Sequence, residues 1–373
     1  MTTGRHMTKG RIAAIAAGVA ATAMLTGLAD AQQRQVRIYN WSDYIDEEVL
    51  AQFEAETGID VIYDVFDSNE VLESKLLSGN TGYDLVVPTA DFLSRQIQAG
   101  VFQQLNKDLL PNLANMWDVV SSRTAAYDPD NSYSINYMWG TTGIGYNTAM
   151  IAERLGADYE VNSWALVFDP EIAAKLADCG IYWLDAPTEI IPAALNYLGL
   201  DPNTTNADDL AKAEELLQGV RETVRKFHSS EYINALANGD ICVAVGWSGD
   251  MFQARDRAAE AENGVEINYI IPQEGALMWF DQMAIPADAE NVEEAHEFLN
   301  FIMRPEVIAA ASNYVYYANG NLASQELLIE DVVGDPAVYP DEATLANLYT
   351  KLPYDPASQR IVTRMWTRIV TGQ

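Results

Sequence analysis

The stretch Val36–Phe66, "VRIYNWSDYIDEEVLAQFEAETGIDVIYDVF", decides the fold. "VRIYN" reads as a strand with Val36 and Ile38 on one face. "DEEVLAQFEAETG" reads as a helix. Asp46, Glu47 and Glu48 suit the positive end of its dipole, Val49, Leu50 and Phe53 form its apolar stripe, and Gly58 ends it. "IDVIYDVF" is a second strand, "SNEVLESKLLSG" a second helix and "YDLVVP" a third strand. The order β-α-β-α-β implies an α/β fold with a parallel sheet and right-handed crossovers. Such sheets bind ligands beyond the carboxyl ends of their strands. "WSDY", Trp41–Tyr44, stands at one such end and "PTAD", Pro88–Asp91, at another.

Further units follow. "YSINYMWGTTGIGYN" carries alternating large residues and three glycines, and suits a segment passing from one lobe into another. "CGIYWLDAP", "ICVAVGW", "EINYIIP" and "LMWFDQMAIP" read as strands. Residues 206–226 read as helical, "NVEEAHEFLNFIMRPEVIAAASNYV" as one or two helices, and "SQRIVTRMWTRIV" as a closing helix. There is no internal repeat and no long Gly/Ser or Pro-rich linker, so the expectation is two lobes joined by several crossing strands.

The chain opens with a basic segment (Arg5, Lys9, Arg11), an apolar run from Ile12 to Leu28, and "ADA", Ala29–Ala31. That is the pattern of a secretory signal peptide over residues 1–31, and the run is short and Ala-rich for a membrane anchor. The whole chain has 22 basic and 54 acidic residues; without the leader, 19 stand against 53, a formal charge of −34. Such a surface attracts cations and repels nucleic acid and anionic lipid. Cys179 and Cys242 are an even pair in an exported chain, expected to form one disulfide; the alternative is two buried thiols.

Catalytic and metal-binding patterns are scarce. The three histidines (His6, His228, His296) lack metal-ligand spacing, and neither cysteine has a zinc-type neighbour. His228 in "FHSSEYI" reads as a capping residue. "GWSGD" is one residue short of a nucleophile elbow, and "GTTGIGYN" is not a dinucleotide fingerprint. No cofactor or metal is therefore expected. An enzyme would have to rely on a carboxylate pair alone.

One pattern recurs instead. Aromatics lie beside carboxylates or hydroxyls at strand ends: Trp41-Ser42-Asp43-Tyr44, Trp183 with Asp185 and Glu189, Trp247-Ser248-Gly249-Asp250, and Trp279-Phe280-Asp281, with Tyr316 and Tyr317 later. Indole and phenol rings offer a negative face to ammonium groups, and carboxylates accept their charge-assisted hydrogen bonds. The composition fits an organic cation with an apolar body. Each piece also has an ordinary reading: Trp41 and Trp247 as inter-lobe packing, Glu189 as a surface acid, Asp250 as the N-cap of "MFQARDRAAEAE".

These residues resemble the periplasmic polyamine-binding proteins of ABC importers, nearest the putrescine-binding branch. The resemblance rests on "YNWSDYI", "YDLVVPTADFL", "YMWGTTGIGYN", "LDAPTE", "HSSEYINALANGDICVAVGWSGD", "FDQMAIPADA", "FLNFIMRP" and "VYYANGN", in family order along almost the whole chain after the leader. It implies a type II periplasmic binding protein: two α/β lobes joined by a hinge, with the ligand cleft between them. The expected lobes are residues 32–140 plus 281–318, and 141–280 plus 319–373. It also implies a ligand site of Trp41, Ser42 and Tyr44 from one loop, Thr89 after "VVP", Glu189, Trp247, Asp250, Trp279, Asp281 and Tyr317; Asp43 in the same loop and Asp91 beside Thr89 are added as candidate ligand residues from the sequence. Trp279 replaces a more usual phenyl ring, and Cys179 and Cys242 match the family's disulfide.

Two departures bear on the ligand. Asp91 stands where the putrescine branch has a small neutral side chain, and Lys351, in "LYTKLPYDP", where an apolar residue is expected. They fit either an ion pair across the mouth or a changed ligand. The implied function is capture of putrescine or a related polyamine in the periplasm by a monomer, with delivery to an ABC permease. A polyamine or agmatine/spermidine sensor using the same cleft is the alternative.

Overall fold

The computed structural model describes residues 34–373; the leader expected over residues 1–31 lies outside them. Among the described residues, no helix is long and apolar enough to cross a membrane.

The opening folds as its pattern demands. Strand β1 (Gln35–Trp41) pairs in parallel with β2 (Asp60–Phe66) and β3 (Leu85–Val86). The helix Glu47–Thr57 is capped by the Asp46 carboxylate, which accepts from the Glu48 amide, and ends at Gly58 in the left-handed region (φ 68°). Val49 and Phe53 are its buried face, while Leu50 is half-buried.

Strand β4 (Ser134–Asn147) determines the rest. Its first half, Ser134–Thr141, pairs antiparallel with β9 (Met278–Ala284), which meets β3 at Val86–Ala284. Its second half pairs antiparallel with β7 (Val243–Trp247) and β8 (Ile267–Ile270). β7 continues in parallel to β5 (Ile181–Trp183) and on to β6 (Val224–Phe227), and β10 (Ala318–Asn319) joins β4 at Trp139 and Met138. The path is β2-β1-β3-β9-β4-β7-β5-β6. One long strand thus carries the chain from one part of the sheet into the other.

Gly143 and Gly145 are required where the second half of β4 is crowded. A Cβ at Gly143 would lie 2.3 Å from the Ile270 carbonyl oxygen, and one at Gly145 2.1 Å from the Met251 sulfur.

Two hydrophobic cores flank this strand. The first includes Val36, Ile38, Phe53, Val86, Met283 and Phe298. The second includes Trp164, Phe168, Ile181, Trp183, Val245 and Met365. Val120 and Tyr127 pack with the second core, and Leu277 and Trp279 with the first.

Two expectations need correction, and a third is narrowed to one of its alternatives. The helical reading of residues 206–226 overruns: the helix is Ala207–Val220, and Val224–Phe227 form β6, because β-branched Val224 and aromatic Phe227 are paired beside β5. "NVEEAHEFLNFIMRPEVIAAASNYV" is two helices, Val292–Ile302 and Pro305–Val315, with Pro305 starting the second. Asp250 is not an N-cap. The helix Ser248–Glu260 begins two residues earlier with Trp247 at the cap.

Cys179 and Cys242 form a disulfide with Cα atoms 5.5 Å apart, closing a separation of 63 residues. It joins the chain just before β5 and β7, where Ile181 pairs with Val243. In the chain-entropy model a loop of this size stabilises the fold by about 4 kcal/mol. Unfolded protein kept free of reductant should therefore show no thiol that reacts with a maleimide. Reduction should lower the calorimetric unfolding midpoint.

Candidate functional site

A cavity of about 420 Å³ opens where the strand ends of both cores converge. Trp41 ends β1, Trp247 ends β7, and Trp279 and Asp281 belong to β9. Ser42, Tyr44, Thr89, Glu189, Asp250 and Tyr317 complete the expected lining, with Asn69 and Ser229 in addition.

At one side lies Asp281. Its Oδ2 accepts from Tyr44 Oη at 2.8 Å and its Oδ1 from Thr89 Oγ1 at 2.7 Å. Thr89 is held by Asn69, which donates to its hydroxyl (2.8 Å) and accepts from its amide (3.1 Å). Tyr44 is held in turn by Tyr137, whose hydroxyl donates to the Tyr44 carbonyl at 2.7 Å. Asp250 has its own pair of phenols: Tyr232 Oη donates to Oδ2 at 2.5 Å and Tyr317 Oη to Oδ1 at 2.7 Å. Glu189, in the first turn of the helix Pro187–Tyr197, accepts from the Thr142 hydroxyl of β4.

The rings form continuous walls. Trp41 and Trp247 meet edge to face with centroids 5.4 Å apart, Tyr44 and Tyr317 at 5.1 Å, and Trp279 and Tyr317 at 5.4 Å. Trp41 is fixed by its indole N–H, which donates to the Val87 carbonyl at 2.9 Å. Trp279 Nε1 and Ser229 Oγ are buried without a protein partner.

Burial dominates the electrostatics. It pushes the Asp250 carboxyl up to about 6 against the hydrogen bonds of Tyr232 and Tyr317. It pushes Asp281 to about 7 against those of Thr89 and Tyr44, and Glu189 to about 8 against that of Thr142. Repulsion from Asp91 adds to the last two. Three carboxyl groups in one apolar-walled cavity cannot all ionise cheaply without a cation among them.

Of the twelve expected residues, ten line this cavity. Asp91 lines a neighbouring cavity, and its carboxyl is raised by burial. Asp43 lies outside: it is exposed and pairs with Arg257 at 2.6 Å. The Asp91–Lys351 ion pair, one of the two readings of these residues, is not formed; the Lys351 ammonium donates to the Leu352 carbonyl at 2.6 Å and stands 3.5 Å over the Tyr354 ring. Trp183 and Asp185 depart from the aromatic–acid pattern. Trp183 is fully buried in the second core, and Asp185 accepts from the Trp366 indole at 2.8 Å. Tyr316 faces Asp256 rather than the cavity.

His228 Nδ1 accepts from the amides of Ser230 and Glu231 in the turn before the helix Tyr232–Ala237, whose N-cap position is Glu231 rather than His228. Tyr232 was missed as a support for Asp250. Its signal was a large aromatic two residues after "HSS", inside a stretch already singled out. Among the described residues no group of His, Cys, Asp and Glu is arranged to hold a metal.

Comparison with known proteins identifies the family of the chain. Residues 48–340 match the family model described as bacterial extracellular solute-binding protein. The chain is 51% identical to the putrescine-binding periplasmic protein PotF of Escherichia coli, over 94% of this chain and 95% of that one. It is 50% identical to the putrescine-binding periplasmic protein SpuD of Pseudomonas aeruginosa, over 94% and 95%. Among solved structures, a Listeria monocytogenes protein assigned as a spermidine/putrescine ABC transporter superposes with a TM-score of 0.81 at 33% identity, covering 91% of this chain and 100% of that one. The spermidine/putrescine substrate-binding protein PotD of Streptococcus pneumoniae gives 0.73 at 29% identity, covering 91% and 99%. With its sheet divided about β4 and its acid-lined cavity between two cores, the chain belongs to the bacterial extracellular solute-binding proteins and has their two-lobed fold.

Proposed function

We propose that this chain captures putrescine, or a related polyamine, in the periplasm as a monomer and delivers it to a membrane ABC permease. One observation carries the reading. Asp250, Asp281 and Glu189 are buried together in a cavity walled by indole and phenol rings, with no basic side chain in its lining. That is a receptor for a dication with a methylene body. The names of the relatives at 50% identity or more support the ligand class and the compartment.

In this reading Asp281 with Tyr44 and Thr89 holds one ammonium, and Asp250 with Tyr232 and Tyr317 the other. Trp41, Trp247 and Trp279 cover the methylenes, and Glu189 and Ser229 complete the polar wall. The proposed lobes are residues 32–140 plus 281–318 and 141–280 plus 319–373, with the ligand between them; most of the two cores follow this division, while Val120, Tyr127, Leu277 and Trp279 pack across it. The phenols matter as much as the acids. Each holds a carboxylate oxygen in place before the ligand arrives, so little ordering is left to do on binding.

Asp281→Asn and Asp250→Asn should each weaken putrescine by at least ~2 kcal/mol, the scale for leaving one member of a buried charge pair alone. Isothermal titration of the refolded, ligand-free protein measures this, and unchanged affinity in both variants would remove these roles.

The carboxyl values set a pH dependence. Protons held at about 6, 7 and 8 on Asp250, Asp281 and Glu189 compete with a dication. Putrescine affinity should fall at least tenfold between pH 8 and pH 5.5. The stability of the ligand-free protein should move the other way. These groups sit above their unfolded values, so the folded state takes up protons, and the stabilisation is lost as pH rises through about 6 to 8. Titrations and thermal melts across that range would show opposite slopes; parallel slopes would contradict the assignment.

A further inference from the structure

Beside the main cavity lies a second one of about 320 Å³. The two share Asn69, Thr89, Glu189 and Trp279 as lining, so the second continues from the first past the end occupied by Asp281 and Thr89. Its own charged walls are Asp91, 6% exposed, and Lys351, 5% exposed.

Lys351 is fixed in place. The Tyr127 hydroxyl donates to its carbonyl at 3.0 Å, and the segment before it is tied to β9, with the Met278 amide donating to the Tyr349 carbonyl at 2.8 Å. Its ammonium donates to the Leu352 carbonyl, lies 3.4 Å from Asn203 Oδ1 and rests on the Tyr354 ring. None of these partners carries a negative charge. Burial lowers its value to about 8, so it is still cationic at neutral pH. Asp91 occupies the first turn of the helix Ala90–Gln98, and the nearby Arg95 is engaged by Glu73.

We infer that Lys351 is the length filter of this receptor: its fixed charge fills the electrostatic place of a third ammonium in the second cavity and so restricts the site to short diamines. The inference rests on the polyamine reading and deepens it. A triamine seated with one end at Asp250 and its middle nitrogen at Asp281 would push its remaining amine toward Asp91. Asp91 alone would attract that amine. The Lys351 ammonium cancels the attraction and repels the newcomer, and its stem takes up room that the extra methylenes need. The positive charge does little to a diamine lying wholly in the first cavity, beyond the wall formed by Thr89, Glu189 and Trp279.

The experiment is titration of the mature protein with putrescine and spermidine, for the wild type, Lys351→Met and the double variant Lys351→Met/Asp91→Asn, each checked for folding by thermal melt. Wild type should prefer putrescine by at least ~100-fold. Lys351→Met keeps the side-chain length without the charge, and should reduce that preference at least tenfold through tighter spermidine binding. The double variant should lose the gain, because Asp91 is what would hold the third amine. If Lys351→Met does not fold, Lys351→Gln makes the same comparison. An unchanged preference in the folded single variant overturns the filter while leaving the diamine site standing. Wild-type protein that binds neither ligand overturns the polyamine reading, and the filter with it.

Discussion

Three carboxyl groups confined to one small, apolar-walled cavity are the constraint on which the site depends. Left without a cation they repel one another and resist ionisation, and burial is the largest cause of each shift. The protein tolerates them by surrounding each with neutral donors. Tyr44 and Thr89 serve Asp281, Tyr232 and Tyr317 serve Asp250, and Thr142 serves Glu189. Neutral hydroxyls satisfy lone pairs without cancelling charge. A lysine or arginine in their place would neutralise the site and destroy its attraction for a cation. The arrangement therefore remains satisfied and still unneutralised, which is the condition a cation receptor needs.

The fold supplies these groups from distant parts of the chain. Tyr44 and Asp281 are 237 positions apart, and Asp250 and Tyr317 are 67 apart. They meet because parallel strands β1, β3, β5 and β7 end near one another and β4 with β9 crosses between the two cores. The Trp41 indole is anchored to the Val87 backbone carbonyl, and the Tyr137 hydroxyl anchors the backbone that carries Tyr44. The geometry of the site thus follows from sheet register, which a one-residue slip would turn inside out.

Much of this was legible in the sequence, for definite reasons. Strand β1 and the helix Glu47–Thr57 carry strong periodicity and a capping carboxylate, and both lie within a residue or two of where the pattern puts them. Aromatic residues beside acids at strand ends pointed to Trp41, Trp247, Asp250, Trp279 and Asp281, all on the cavity wall. The same pattern failed at Trp183, because adjacency in sequence does not say which face of a strand a ring takes: Trp183 turns into the second core and packs edge to face with Phe168 and Phe227. It failed at Asp43 for a related reason. Asp43 has a positive φ of 54°, and the turn aims its carboxylate outward while Ser42 and Tyr44 on either side face in. Asn69, Ser229 and Tyr232 were hidden, since each reads locally as a cap or a core residue and reaches the site only through tertiary packing.

Asp43 also bears on what holds the lobes together. Its pairing with Arg257, together with Gln253 Nε2 donating to the Asp43 carbonyl at 3.2 Å, spans from the β1 loop to the helix Ser248–Glu260. The pair is roughly one-third exposed on each side, and an exposed ion pair is worth about 0–1 kcal/mol. A micromolar complex needs about −8 kcal/mol net. The surface bridge is too weak to keep the lobes shut by itself, and the aromatic contact of Trp41 with Trp247 adds only ~0.5–1.5 kcal/mol beyond burial. In the proposed function the large term would be a cation placed between Asp281 and Asp250, one supported from the first core by Tyr44 and the other from the helix that follows β7. On that proposal the ligand, gripped at its two ends from opposite sides, would be the strongest link between the lobes. Closure would then report occupancy, while the weak contacts at the rim would leave release open to whatever pulls the lobes apart.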